Sequence, residues 1–182
     1  MSFLLASLAE KRENGMTIDK VRMILGIDPG RDKIGWALTT SKGELALSGI
    51  CRVAKLENFL NVLKHPVGKW EKELVGWMYW KYEIFSSAFE PEVEYVALGD
   101  GTGNRKIAER CARFGLKVIH VGEEGTTMAA RELYWCFHRP AWWQRCLPRS
   151  LRVPPRNVDD FAAWAIVLRD VAGSVGKGDN KE

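Results

Sequence analysis

A chain of 182 residues is about one domain's worth of sequence, long enough for a sizeable core and too short for most two-domain enzymes. Its 46% apolar and 27% charged residues exclude global disorder, and no apolar run approaches the roughly 20 residues of a membrane helix. A net charge of +4 leans towards polyanions as partners.

Residues 1–22 read as an extension, and the internal methionines Met16 and Met23 leave the biological start open. Residues 1–8 are apolar but lack a basic leading segment, so no secretory signal is expected and a cytoplasmic location is. Ile24-Leu25-Gly26-Ile27 is a continuous apolar run, the mark of a strand buried on both faces, and it ends at the turn Asp28-Pro29-Gly30. Residues 34–40 and 45–53, joined by Ser41-Lys42-Gly43-Glu44, continue it as an antiparallel meander. Residues 55–89 have helical character interrupted at His65-Pro66 and Gly68. Trp70, Leu74, Trp77, Met78, Ile84, Phe85 and Ala88 recur at helical spacing, which predicts an amphipathic helix with an aromatic stripe in the core.

Pro91 reads as a break before a fourth strand, Tyr95-Val96-Ala97-Leu98, which ends at Gly99-Asp100-Gly101. A helix over 104–114 stops at Gly115, a fifth strand covers 116–121, and another helix runs from about Thr127 to Phe137. After a loop, a last helix opens at Asp159-Asp160 and reaches Val171. The expected organisation is an extension (1–22), one α/β domain (23–172) and a flexible tail (173–182). Its sheet has five strands, a three-strand meander plus two parallel strands, flanked by helices. Cys51, Cys111, Cys136 and Cys146 are never spaced C-x-x-C, so they read as small core residues in a reducing compartment.

Ligands of open α/β sheets collect outside the carboxyl ends of the strands, where strand order reverses. Asp28 ends the first strand there, and Asp100 and Glu123 end the fourth and fifth at the same side if those run parallel. Asp159 and Asp160 open the last helix. Each acid alone also reads as loop solvation or a helix start; four elements ending in acid at one end of one sheet read as a site. Gathered carboxylates repel one another unless cations sit among them. Hard divalent ions suit oxygen ligands, so Mg²⁺ or Mn²⁺ is expected on Asp28, Asp100, Glu123 and Asp159, with Asp160 a further catalytic candidate. Two ions about 3.5–4 Å apart would suit phosphodiester hydrolysis.

Residues 133–158 contain no acid but carry Arg139, Arg145, Arg149, Arg152 and Arg156, interleaved with Trp135, Phe137, His138, Trp142 and Trp143. Arginine forks bind phosphate and exposed tryptophans stack on unpaired bases, so nucleic acid is the expected partner, while the tryptophans read equally as core caps. Arg31 and Lys33 add cations beside Asp28.

The run from Ile24 to Ala37, with Gly26-Ile27-Asp28-Pro29-Gly30 at its centre, resembles the first strand and turn of RuvC-like and YqgF-like nucleases of the RNase H-like superfamily. Val121-Gly122-Glu123-Glu124-Gly125-Thr126-Thr127 occupies the place of the YqgF-like D-E-R-x-T-T segment, and Asp159-Asp160-Phe161-Ala162-Ala163 matches a terminal D-x-x-A-A helix. The resemblance implies an RNase H-like nuclease with Asp28, Glu123 and Asp159 in the catalytic positions. Gly122 and Glu124 depart from the pattern, replacing an Asp and an Arg. Asp100 lies where RuvC-like members place an acid after the fourth strand, and Asp160 matches a second acid on their last helix. The YqgF-like pattern implies processing of precursor 16S ribosomal RNA, with pre-ribosomal particles as partners. The RuvC-like pattern implies cleavage of Holliday junctions, branched DNA whose symmetry asks for a dimer. The chain is thus expected as monomer or homodimer, with the tryptophan-rich stretch 70–82 a candidate dimer surface. Two rivals are a nucleic-acid-binding domain that has lost catalysis and an actin-like ATPase or sugar kinase. The second normally needs two such domains.

Overall fold

The computed structural model describes residues 19–65, 78–81, 89–140, 142–148 and 152–175. Strand β1 (Asp19–Asp28) carries the apolar run, and its alternate positions bury on opposite faces, as a period of two requires. Strands β2 (Lys33–Thr40) and β3 (Leu45–Arg52) form the antiparallel meander, with Asp28 opposite Gly35 and Lys33 opposite Arg52. Helix α1 (Leu56–Val62), strand β4 (Met78–Lys81), strand β5 (Phe89–Gly99), helix α2 (Asn104–Arg113) and strand β6 (Val118–Val121) follow. Helix α3 (Thr126–Phe137), a 3-10 segment (Trp142–Cys146) and the long helix α4 (Asp159–Val175) come last.

β5 runs parallel to β1 and β6 parallel to β5, so the sheet order is β4-β3-β2-β1-β5-β6. The five expected strands are present in the expected directions, and β4 adds a short sixth on the edge of β3. Met78–Lys81 is therefore strand where helical spacing suggested helix. The rest of that expected helix, with its candidate dimer surface, lies outside the described residues, as do residues 1–18 and 176–182. Strand β1 starts at Asp19, inside the expected extension, and α4 runs on to Val175. Pro91 does not break the chain: it sits within β5 opposite Val21, in a stretch where β6 does not pair.

Met23, Leu25, Ile27, Ile34, Trp36 and Leu38 pack on one face against α1 and α2, where Trp36 and Phe59 meet at 4.7 Å between ring centroids. Ile24, Ala37 and Ala97 face the other way, against Phe161, Ala163, Ile166 and Val167 of α4, with Ala130 and Tyr134 of α3 alongside. Each large side chain buried this way contributes about 1.5–3 kcal/mol. Ala163 lets α4 lie close on the sheet, where its carbonyl meets Gly26. Cys51 and Cys111 are core residues as expected, whereas Cys136 and Cys146 are exposed thiols. No described helix is long and apolar enough to cross a membrane.

Candidate active site

Strand alternation decides which side chains meet. Asp28 shares the face of Ile24, and Lys33 and Gly35 share the face of Ala37, so all three point to the side covered by α4. A Cβ at Gly35 would collide with the Asp159 carbonyl, so only glycine lets β2 press against the start of α4. That contact brings Asp159 to the carboxyl end of β1, where its side chain accepts a hydrogen bond from Lys33 Nζ at 2.7 Å. Glu123, just past β6, folds its carboxylate over Gly99 and Gly101, where any side chain would strike it.

Asp28 lies in the field of both neighbours. Burial first, then the charges of Glu123 and Asp159, push its pKa from 3.8 up to about 7, against the opposing pull of Lys33. Glu123 is also raised, chiefly by burial and with a contribution from Asp100, while a hydrogen bond from the Gly101 N–H acts the other way. Asp100 accepts the backbone N–H of Glu123 at 2.9 Å, and its Oδ2 stands 4.0 Å from where a Cβ of residue 122 would be. Asp28 sits opposite Gly35, where Asp159 is pressed, and beside Gly99, over which Glu123 folds, so these three acids come together, with Asp100 bracing Glu123.

Asp160 does not join them. It is fully buried, accepts Ser48 Oγ at 3.1 Å and forms a two-pronged pair with Arg156 at 2.9 Å on each prong. Adjacent helical residues point about 100° apart, so α4 can present only one of the two acids to the cleft. This corrects two expectations together, since Arg156 is held inside by Asp160 and lies over the rings of Tyr134 and Phe161. Arg152 also turns inward, donating to the carbonyls of Leu147 and Arg145 while its own carbonyl accepts Trp135 Nε1. Arg139 and Arg145 are exposed, and Trp142 is 81% exposed, a surface ring and not a core cap. Arg149 and the Trp143 side chain lie outside the description. His138 stacks on Tyr134 at 4.1 Å, so this part of the loop is packed.

A cleft of about 1260 Å³ opens beside Asp28 and Asp159, and Arg31, Lys33, Arg52 and Lys55 line it with Asp32. Arg52 and Lys55 escaped the sequence reading. The meander register could have found Arg52, because it lies directly across from Lys33. A smaller and more apolar pocket lies elsewhere, between α1 and β5, away from every one of these acids.

Glu123 Oε1 is buried without a hydrogen-bond partner among the described residues, an atom that a hard cation would satisfy. No three His, Cys, Asp or Glu side chains among those residues form a ready metal cluster. Asp28 and Glu123 offer carboxylate oxygens of the kind Mg²⁺ takes, one or two at a time.

The fold and site together define an α/β protein with a mixed sheet and acids at the carboxyl ends of its parallel strands, beside a cation-lined cleft. No family model matches the sequence, and no curated protein matches it. Among solved structures, the chain is similar to Thermus thermophilus RuvC in complex with Holliday junction substrate, at 16% identity and TM-score 0.42, covering 85% of this chain and 96% of that one. A second Thermus thermophilus RuvC structure has 16% identity and TM-score 0.39, with the same coverage.

Proposed function

We propose that this protein is a divalent-metal-dependent nuclease that hydrolyses phosphodiester bonds in structured nucleic acid. The observation that carries the reading is the juxtaposition of Asp28, Glu123 and Asp159 at the end of β1, beside a cleft lined by Arg31, Lys33, Arg52 and Lys55. Acids and cations in one open cleft suit a phosphate backbone, which needs positive charge to enter and carboxylates to hold an activating ion. Asp28 and Glu123 would hold that ion, which when bound lowers the pKa of a water and offsets phosphoryl charge. Arg31, Arg52 and Lys55 receive backbone phosphates and set the strand across the cleft. Asp159 and Lys33 fix the wall opposite Glu123.

The finer reading is YqgF-like processing of a precursor ribosomal RNA. The charge on Asp28 is coupled to Glu123, the acid after the last strand, which supports Glu123 over Asp100 as its partner. Asp100, standing beside position 122, supplies the second carboxylate that Gly122 lacks. Branched DNA is the second reading, favoured by an acid after the fourth strand that contacts the site through the Glu123 N–H. Cleavage of a structured precursor RNA and of a four-way DNA junction, with Mg²⁺ or Mn²⁺ and then with EDTA, tests both. Cleavage of either substrate only with metal supports the nuclease and selects the substrate. Tight binding with no cleavage of either leaves a binding domain and overturns the proposal.

A further inference from the structure

The four acids expected as metal ligands, Asp28, Asp100, Glu123 and Asp159, and the further candidate Asp160 are not equally available. Asp160 is sealed by Arg156 and Ser48, and Asp100 is engaged by the Glu123 N–H. Asp159 already has a cation, Lys33, at 2.7 Å. This pair differs from an ordinary surface contact between two flexible side chains, which contributes little. Lys33 is held in β2 by the β3 ladder, opposite Arg52. Two residues along the same strand, Gly35 lies against the Asp159 carbonyl, so both backbones are fixed at close range. Asp28 ends β1 one step past the Ile27–Leu98 pair, beside Gly99, over which Glu123 folds its carboxylate, and Glu123 keeps an orphaned buried oxygen.

We infer that Lys33 is the protein's own cation on the Asp159 side of the site, so that the cleft takes a single divalent ion, held by Asp28 and Glu123, instead of two. An ammonium offers three donors and one charge, so Lys33 can hold Asp159 and still meet a phosphate oxygen entering the cleft it lines. Lys33 is on this account a positioning residue that replaces an ion, and its loss frees Asp159 to bind one.

The inference rests on the metal-dependent reading above, and Mn²⁺ binding separates the two. Titration of the full chain with Mn²⁺, followed by electron paramagnetic resonance of the free ion, should count one ion in the wild type, one in Lys33→Arg and two in Lys33→Met. Asp159→Asn should leave the single ion in place with little change in affinity. Two ions in the wild type would overturn the role of Lys33 while leaving a metal nuclease standing. No bound Mn²⁺ in the wild type would overturn both readings. A folded Lys33→Met protein that still binds one ion would also overturn the inference. Should that variant fail to fold, the wild-type and Asp159→Asn counts decide: the inference stands on one ion in each and falls on any other pair of counts.

Discussion

Replacing Asp28 by Asn should stabilise the metal-free protein while abolishing cleavage. In the fold Asp28 keeps its proton up to about 7, through burial and then through Glu123 and Asp159, whereas the unfolded chain releases it near 3.8. The folded state therefore binds more protons, so this group costs nothing well below 3.8 and costs progressively more as pH rises to about 7. The gap between those values corresponds to roughly 4 kcal/mol between the two protonation states. Water in the open cleft screens part of it, which leaves about 2 kcal/mol, or about 4–8 °C in Tm for a chain of this size. Asn keeps the shape and cannot ionise. Thermal melts in EDTA at about pH 8 should show the variant melting higher by that amount, and at about pH 5 the advantage should fall by more than half. Mn²⁺ should raise the Tm of the wild type and not of the variant. A variant no more stable at the higher pH, or one favoured more at the lower, would refute the reasoning.

Arg156→Ala leaves Asp160 buried without its cation and should cost about 3–5 kcal/mol in denaturant unfolding, with no change in the salt dependence of binding. Arg139→Ala with Arg145→Ala should instead preserve stability and flatten the log–log salt slope by about 1.4 for a single strand or 1.8 for a duplex. Trp142→Ala should weaken binding to single-stranded regions by about 1–3 kcal/mol without altering Tm, as measured by fluorescence titration. Gly35→Ala forces α4 away from β2, so cleavage should fall far more than stability.

The strands of the meander and the two parallel strands were legible because both faces of β1 are covered, and an apolar run without alternation has no other use in a short strand. The carboxyl-end rule pointed to Asp28, Asp100 and Glu123 at the strand ends, and the start of the last helix to Asp159 with Asp160. What escaped was decided by tertiary partners. Met78–Lys81 is too short to show a period, and β3 offers it Leu47 and Ser48 as ladder partners, which overrides its helical spacing. The sequence could not tell Asp159 from Asp160, because which one turns inward depends on where Ser48 and Arg156 lie. The arginine loop misled for the same reason: a guanidinium can neutralise a buried acid as readily as a phosphate, and Arg156 does the former.

The account's central claim is that Asp28, Glu123 and Asp159 act as one site, and single-turnover cleavage by paired variants tests it most directly. Asp28→Asn, Glu123→Gln and Asp159→Asn should each lower the rate by about 100-fold or more. The double variant of Asp28 and Glu123 should be no slower than the worse single one, because groups that act as a unit lose their effect together. Full activity in Glu123→Gln, or losses in the double variant that multiply as independent sites do, would contradict it.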